Sequence, residues 1–209
     1  MIDLYTWKTP NGRKISILLE ELGVDYSVHA IDIGKDEQFA PEFLKIAPNN
    51  KIPAIVDRDN GHTLMESGAI MVYLAEKFGR FLPDDLIGRS RVMEWLMWQM
   101  GGLGPQAGQA HHFLQYNPGK SAYAEARFHT EVQRLYKVLD ERLAARDYIG
   151  DEYSIADMAI WPWVSRFEWH RIDLNELPNV KSWYLRLAER PAVQKGYDVP
   201  ERVTDIPLP

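Results

Sequence analysis

The sequence contains no cysteine. That absence excludes disulfides, cysteine metal ligands and a cysteine nucleophile, so any sulfur chemistry must use a sulfur brought by a ligand. No run of about 18 apolar residues occurs, and residues 1–7, MIDLYTW, have neither a basic start nor a long apolar stretch. Neither a membrane span nor a secretory leader is expected, which makes the cytoplasm the expected location. Basic residues are not in excess: 24 Lys and Arg face 30 Asp and Glu, for a formal net charge of −6. A general affinity for nucleic acid, whose phosphates need a basic face, is therefore not expected. Internal repeats and low-complexity segments are also missing. What is present is 209 residues, 45% hydrophobic and 26% charged, enough for one large or two small domains with real cores.

Two kinds of pattern follow one another along the chain. Residues 2–7 alternate apolar and polar, and Ile15, Leu18, Leu19 and Leu22 then fall on one face of a helix. Tyr26, Val28 and Ala30 alternate as a second strand, and residues 37–48 read as an irregular or briefly helical connection. AIVD (54–57) and TLME (63–66) flank Asp59-Asn60-Gly61, a hairpin signal, and SGAIMVYLAEKFG (67–79) is a helix closed by Gly79. Residues 1–80 thus spell βαβαββα. Past a linker at 81–87 the strand patterns stop, and 88–209 is expected to be all helical. Val92, Trp95, Leu96 and Met100 mark one helix there; Phe128, Val132, Leu135, Tyr136, Leu139 and Leu143 mark a long one. Ser154 and Asp157 have capping-box spacing with Asp in place of Glu, and Val180, Trp183, Tyr184 and Leu187 form a further helix.

This order, with NNKIPAIVD, TLMESGAI and SIAD, resembles the cytosolic glutathione transferases over the whole chain. Thr9-Pro10-Asn11-Gly12 after the first strand is most similar to their bacterial nu class. The resemblance implies a thioredoxin-like N-terminal domain at 1–80, an all-α C-terminal domain at 88–209, glutathione as co-substrate without a metal, and a homodimer. It also implies disulfide-bond reductase activity with weak transferase or peroxidase activity, room for two glutathione molecules, and glutathione disulfide as a bound product. A small disulfide or electrophile would be the second substrate.

The residues can be read physically beside that likeness. Ile52-Pro53 begins a strand where proline leaves one backbone edge open, and thioredoxin-like folds hold this proline cis. The cysteinyl unit of glutathione would pair with the Ile52 backbone as an added strand. Glu66 and Ser67, at a helix start, offer a carboxylate, a hydroxyl and unpaired N–H groups to the γ-glutamyl ammonium and carboxylate. Gln38 and Lys51 are candidates for the glycyl carboxylate, and the resemblance adds Arg127 as a further glutathione contact. The sulfur would then face Thr9 and Asn11, whose O–H and N–H favour the thiolate without exchanging a proton. Read alone, each site is also an ordinary turn or helix cap, and the different-class alternative is a non-catalytic, glutathione-transferase-like binding or regulatory protein. Tyr5 lies inside its strand and is expected to pack. Gly102-Leu103-Gly104-Pro105 follows a helix rather than a strand, so it is expected to break that helix rather than hold phosphate. His111-His112 lacks partners at metal-ligand spacing and is expected to be no more than a pocket wall. Trp95, Trp98, Trp161 and Trp163 are expected in the helical core, with Trp98 also a candidate wall for the second substrate.

Overall fold

The alternation at the N-terminus becomes strand β1 (Ile2–Thr6), which has buried residues on both faces: Ile2, Leu4 and Thr6 on one, Asp3 on the other. Thr9 then caps helix α1 (Pro10–Leu22), its Oγ1 accepting from the Gly12 N–H at 3.2 Å, and Gly23 closes it in the left-handed conformation. Strand β2 (Tyr26–Ala30), a short helix α2 (Pro41–Leu44), the hairpin strands β3 (Ala54–Asp57) and β4 (His62–Met65), and helix α3 (Ser67–Phe78) follow. The sheet order is β2-β1-β3-β4, with β1 parallel to β2 and antiparallel to β3. This computed structural model describes residues 1–209 and carries the thioredoxin-like order expected from the patterning.

The stripe Ile15, Leu18, Leu19 and Leu22 is buried, but so are Arg13, Lys14, Ser16 and Ile17. For Arg13 and Ser16 the reason is a helix that periodicity did not reveal, α9 (Pro191–Tyr197), which packs along α1. Ser16 Oγ donates to the Gly196 carbonyl at 2.6 Å, Arg13 Nε donates to the Tyr197 carbonyl at 3.1 Å, and Arg190 forks onto Glu21 at 2.6 and 2.8 Å. Where the sequence suggested a second domain running from 88 to 209, the chain divides instead into Met1–Leu82 with Glu189–Ile206, and Pro83–Ala188 with Pro207–Pro209.

The second unit is helical: α4 (Leu86–Trp98), α5 (Gly104–His111), α6 (Ala122–Leu143), α7 (Ile155–Val164) and α8 (Pro178–Ala188). Gly102-Leu103-Gly104-Pro105 does not break its helix, contrary to the sequence reading. A π-helical turn over Gln99–Leu103 absorbs the proline: Gly104 N–H donates to the Gln99 carbonyl five residues back, and Pro105 sits in the first turn of α5 where no N–H is needed. All ten residues of α7 are buried, and the expected capping box is formed. Its Asp157 also accepts from Ile149 N–H and Trp183 Nε1, each at 2.9 Å, tying the preceding loop and α8 to one carboxyl. No helix is long and apolar enough to cross a membrane.

Candidate glutathione site

The sheet register brings three chain segments to one edge. Tyr5 of β1 pairs with Ala54 of β3, and Ala54 pairs with Met65 of β4. Because β3 runs against both neighbours, the end of β1, the start of β3 and the end of β4 lie side by side. Thr9–Gly12 leaves the first, Ile52-Pro53 enters the second, and Glu66-Ser67 leaves the third. The Ile52–Pro53 peptide is cis, and Ile52 packs half-buried beside Phe43, Ala47 and Ala54. Tyr5 packs as expected, stacking on His29 at 4.5 Å between ring centres.

The turn into α1 is tight. Thr9 N–H donates to the Trp7 carbonyl at 2.7 Å, and a Cβ on Gly12 would lie 2.2 Å from that oxygen and 2.4 Å from Thr6 Oγ1. Only glycine allows this approach. Thr9 Oγ1 is occupied as acceptor by the cap, which leaves its hydrogen to donate outward, and Asn11 stands one residue inside the helix. The cap and a sulfur contact are therefore compatible roles for Thr9.

At the third segment, Glu66 is exposed with φ 70° and ψ 112°, and Ser67 is buried as the first residue of α3. A non-glycine residue at positive φ is uncommon and directs the chain sharply into the helix. Ser67 Oγ accepts from Lys14 Nζ at 3.2 Å, so the N-terminal ends of α1 and α3 converge on each other. Two helix N-termini with their unpaired N–H groups at one sheet edge form a natural anion-binding surface. Lys14 is 1% exposed; burial pulls its ammonium down to about 7, and the nearby Glu66 carboxylate pulls it back up.

Lys14 was missed in the sequence, because the apolar stripe of α1 says nothing about what covers its other faces. The outlying candidates are placed differently. Gln38 lies half-buried in a 3-10 helix (Glu37–Phe39) between β2 and α2, its amide nitrogen 3.5 Å from Asp36 Oδ1 and its Oε1 buried without a hydrogen-bond partner. Lys51 is exposed. Arg127 belongs to the second unit, exposed on α6, where it lines a groove of about 650 Å³ with Gln106, Tyr123 and Thr130. His111 is a wall of a different kind from that expected: it is buried, stacked on His170 at 4.5 Å and on Trp163 at 5.7 Å.

A cysteine-free thioredoxin-like unit with an anion-binding edge, in a chain that also carries a helical unit, defines a class of glutathione-binding proteins. Comparison with known families agrees: the glutathione S-transferase N-terminal domain matches residues 1–76 and the glutathione S-transferase C-terminal domain matches residues 122–186. The chain belongs to the glutathione S-transferase family. It is 52% identical over 198 residues to the disulfide-bond oxidoreductase YfcG of Escherichia coli, covering 92% of each chain. Among solved structures it is similar to a glutathione transferase from Pseudomonas putida with one glutathione disulfide bound per subunit (TM-score 0.91, 41% identity, 95% of this chain and 91% of that one). A glutathione transferase from Burkholderia graminis with two glutathione molecules per subunit is similar at TM-score 0.91 and 40% identity, over 97% of this chain and 89% of that one.

Proposed function

We propose that this chain is a glutathione-dependent disulfide reductase in which both reacting thiols come from glutathione. The observation that carries the reading is the convergence of Thr9–Gly12, Ile52-Pro53 and Glu66-Ser67 at one sheet edge in a chain without cysteine. Glutathione lies with its cysteinyl backbone along Ile52, its γ-glutamyl end at Glu66 and Ser67, and its glycyl carboxylate toward Gln38 and Lys51, with Arg127 as a further contact. Its sulfur faces Thr9 and Asn11. A thiol of pKa about 8.5 is a weak nucleophile at neutral pH, and donors at a helix N-terminus stabilise the thiolate.

The exchange balances without a protein thiol. The bound thiolate attacks one sulfur of the substrate disulfide, the S–S bond breaks, and the other half leaves as a thiolate that takes a proton from water. A second glutathione thiolate then attacks the glutathione sulfur of the mixed disulfide, releasing the remaining half as thiol and leaving glutathione disulfide in the cleft. Neither Thr9 nor Asn11 forms a bond to sulfur; they act by hydrogen bonding. The same thiolate gives a weak transferase or peroxidase activity with an electrophile or hydroperoxide, and the working form is a cytoplasmic homodimer. The non-catalytic alternative has less support, because relatives spanning the whole chain are named as oxidoreductases.

The test is a steady-state rate series over glutathione concentration with a small synthetic disulfide, beside an aryl-conjugation assay and intact-mass measurement during turnover. Two glutathione molecules should be consumed per disulfide, glutathione disulfide should inhibit, and the protein mass should stay unchanged. Activity in neither assay, with glutathione still bound, would establish the binding-protein alternative instead.

A further inference from the structure

We infer that Lys14 is a positioning residue of the γ-glutamyl pocket, holding the Ser67 hydroxyl from the second turn of α1 and placing a cation behind the first turn of α3. The inference rests on the assignment of Ser67 proposed above. Its starting point is a placement that stability alone does not explain. A buried ammonium loses its hydration, and a methionine or leucine would fill similar volume in a helix already surrounded by Ile15, Ile17 and Leu18. The site is also at the N-terminal end of α1, where the helix dipole disfavours a cation.

What the placement supplies is directional. In its ammonium form Lys14 has no lone pair, so in the 3.2 Å contact the Ser67 oxygen is the acceptor and its hydrogen is turned away from Nζ. Ser67 thereby presents a donor, which suits a carboxylate and not an ammonium. Glu66, the adjacent residue, is the anion that acts on Lys14. Lys14, Ser67 and Glu66 thus form a short row of cation, hydroxyl donor and carboxylate, matching the paired carboxylate and ammonium of an α-amino acid. Lys14 favours the carboxylate and, by offsetting the charge of Glu66, weakens binding of a ligand that carries only the ammonium.

The test compares the wild type, Lys14→Met and Ser67→Ala by calorimetry with three ligands. They are glutathione, glutaryl-cysteinylglycine, which lacks the α-ammonium, and 4-aminobutanoyl-cysteinylglycine, which lacks the α-carboxylate. Lys14→Met should raise Kd about tenfold, about 1.4 kcal/mol, for the two ligands that keep the carboxylate, and should leave the third no weaker. A loss of equal size for all three would mean a merely structural lysine and would overturn the inference. Ser67→Ala separates the two levels of the argument. If Ser67→Ala weakens glutathione while Lys14→Met does not, the lysine role fails and the γ-glutamyl assignment stands; if Ser67→Ala changes nothing, the assignment itself fails. Should Lys14→Met not fold, a crystal structure of the wild-type glutathione complex decides: the α-carboxylate should sit on Ser67 Oγ with Lys14 Nζ still bonded to that oxygen, and a Lys14 turned away from Ser67 refutes the role.

Discussion

Acidification should destabilise this protein through its helical unit, and the direction of the effect follows from two histidines. His111 and His170 are stacked and buried, with Tyr136 Oη 2.9 Å from His170 Nδ1. Burial, assisted by the charge of Arg166, pulls the His111 imidazole down to about 4, and burial with His111 and Arg166 pulls His170 well below its ordinary value. Both groups stay neutral in the fold while an unfolded histidine protonates near 6.5. A depressed histidine contributes stability that is present above the unfolded value and is lost as pH falls toward the folded one. Between pH 7.5 and 5 His111 therefore costs about 2 kcal/mol, and His170 adds to the loss in the same direction, from a total that in typical domains is roughly 5–15 kcal/mol. Asp157 acts in the opposite sense: burial raises its carboxyl to about 6 against the pull of its four donors, so it recovers about 1.4 kcal/mol over the same interval. Urea unfolding followed by tryptophan fluorescence at both pH values, at one protein concentration, gives the net change. His111→Phe, which fills similar space without titrating, isolates one share, because Asp157 and the other groups are common to both proteins. The variant should lose about 2 kcal/mol less than the wild type on acidification. Equal pH dependence in the two proteins would refute the reasoning.

Two further outcomes are expected. If, as proposed, Thr9 and Asn11 face the sulfur and not the ends of the peptide, Asn11→Ala and Thr9→Ala should lower kcat for disulfide reduction more than they raise KM; full turnover in both variants would reduce the turn to a helix start. Gly196→Ala should destabilise the first unit by at least about 2 kcal/mol, because a Cβ there would lie 2.6 Å from the backbone N and Cα of Ile17, atoms that cannot swing aside. An unchanged denaturation midpoint would show that α9 can move off α1 at no cost.

How much of this was legible depended on whether the physical cause was local. The Thr9 cap, the Gly61 and Gly79 turns and the Ser154–Asp157 box are fixed by residues within four positions of one another, and each was readable as a short spacing. The buried stripe of α1 was readable because 3.6-residue periodicity reports the apolar face. It could not report that the opposite face is covered too, since that depends on Pro191–Tyr197, more than 160 positions away. Arg13 and Lys14 therefore drew no notice in the sequence. The glycine pair at 102–104 suggested a break, because the compensating π turn is a backbone register with no residue signature of its own. His111 and His170 are 59 positions apart and meet only through the packing around α5 and α7, so neither spacing nor composition pointed to the pair.

Arg13 and Lys14 make the larger physical point about this site. Consecutive helical residues project about 100° apart, so one cation reaches α9, where its guanidinium lies 3.4 Å over the Tyr197 ring, and the other reaches Ser67 at the start of α3. They are the fourth and fifth residues of α1, close to the end that the helix dipole makes positive. For folding alone this is an unfavourable arrangement: two desolvated cations sit at the end of a helix that repels them, with no acidic residue in its first turn. For holding a thiolate beside Thr9 and Asn11 it is favourable, because positive potential gathered at low dielectric is what shifts a thiol toward its ionised form. A thioredoxin-like edge without its own cysteine still needs a field that suits a sulfur anion, and on the proposed reading the two buried cations contribute to it together with the helix ends of α1 and α3.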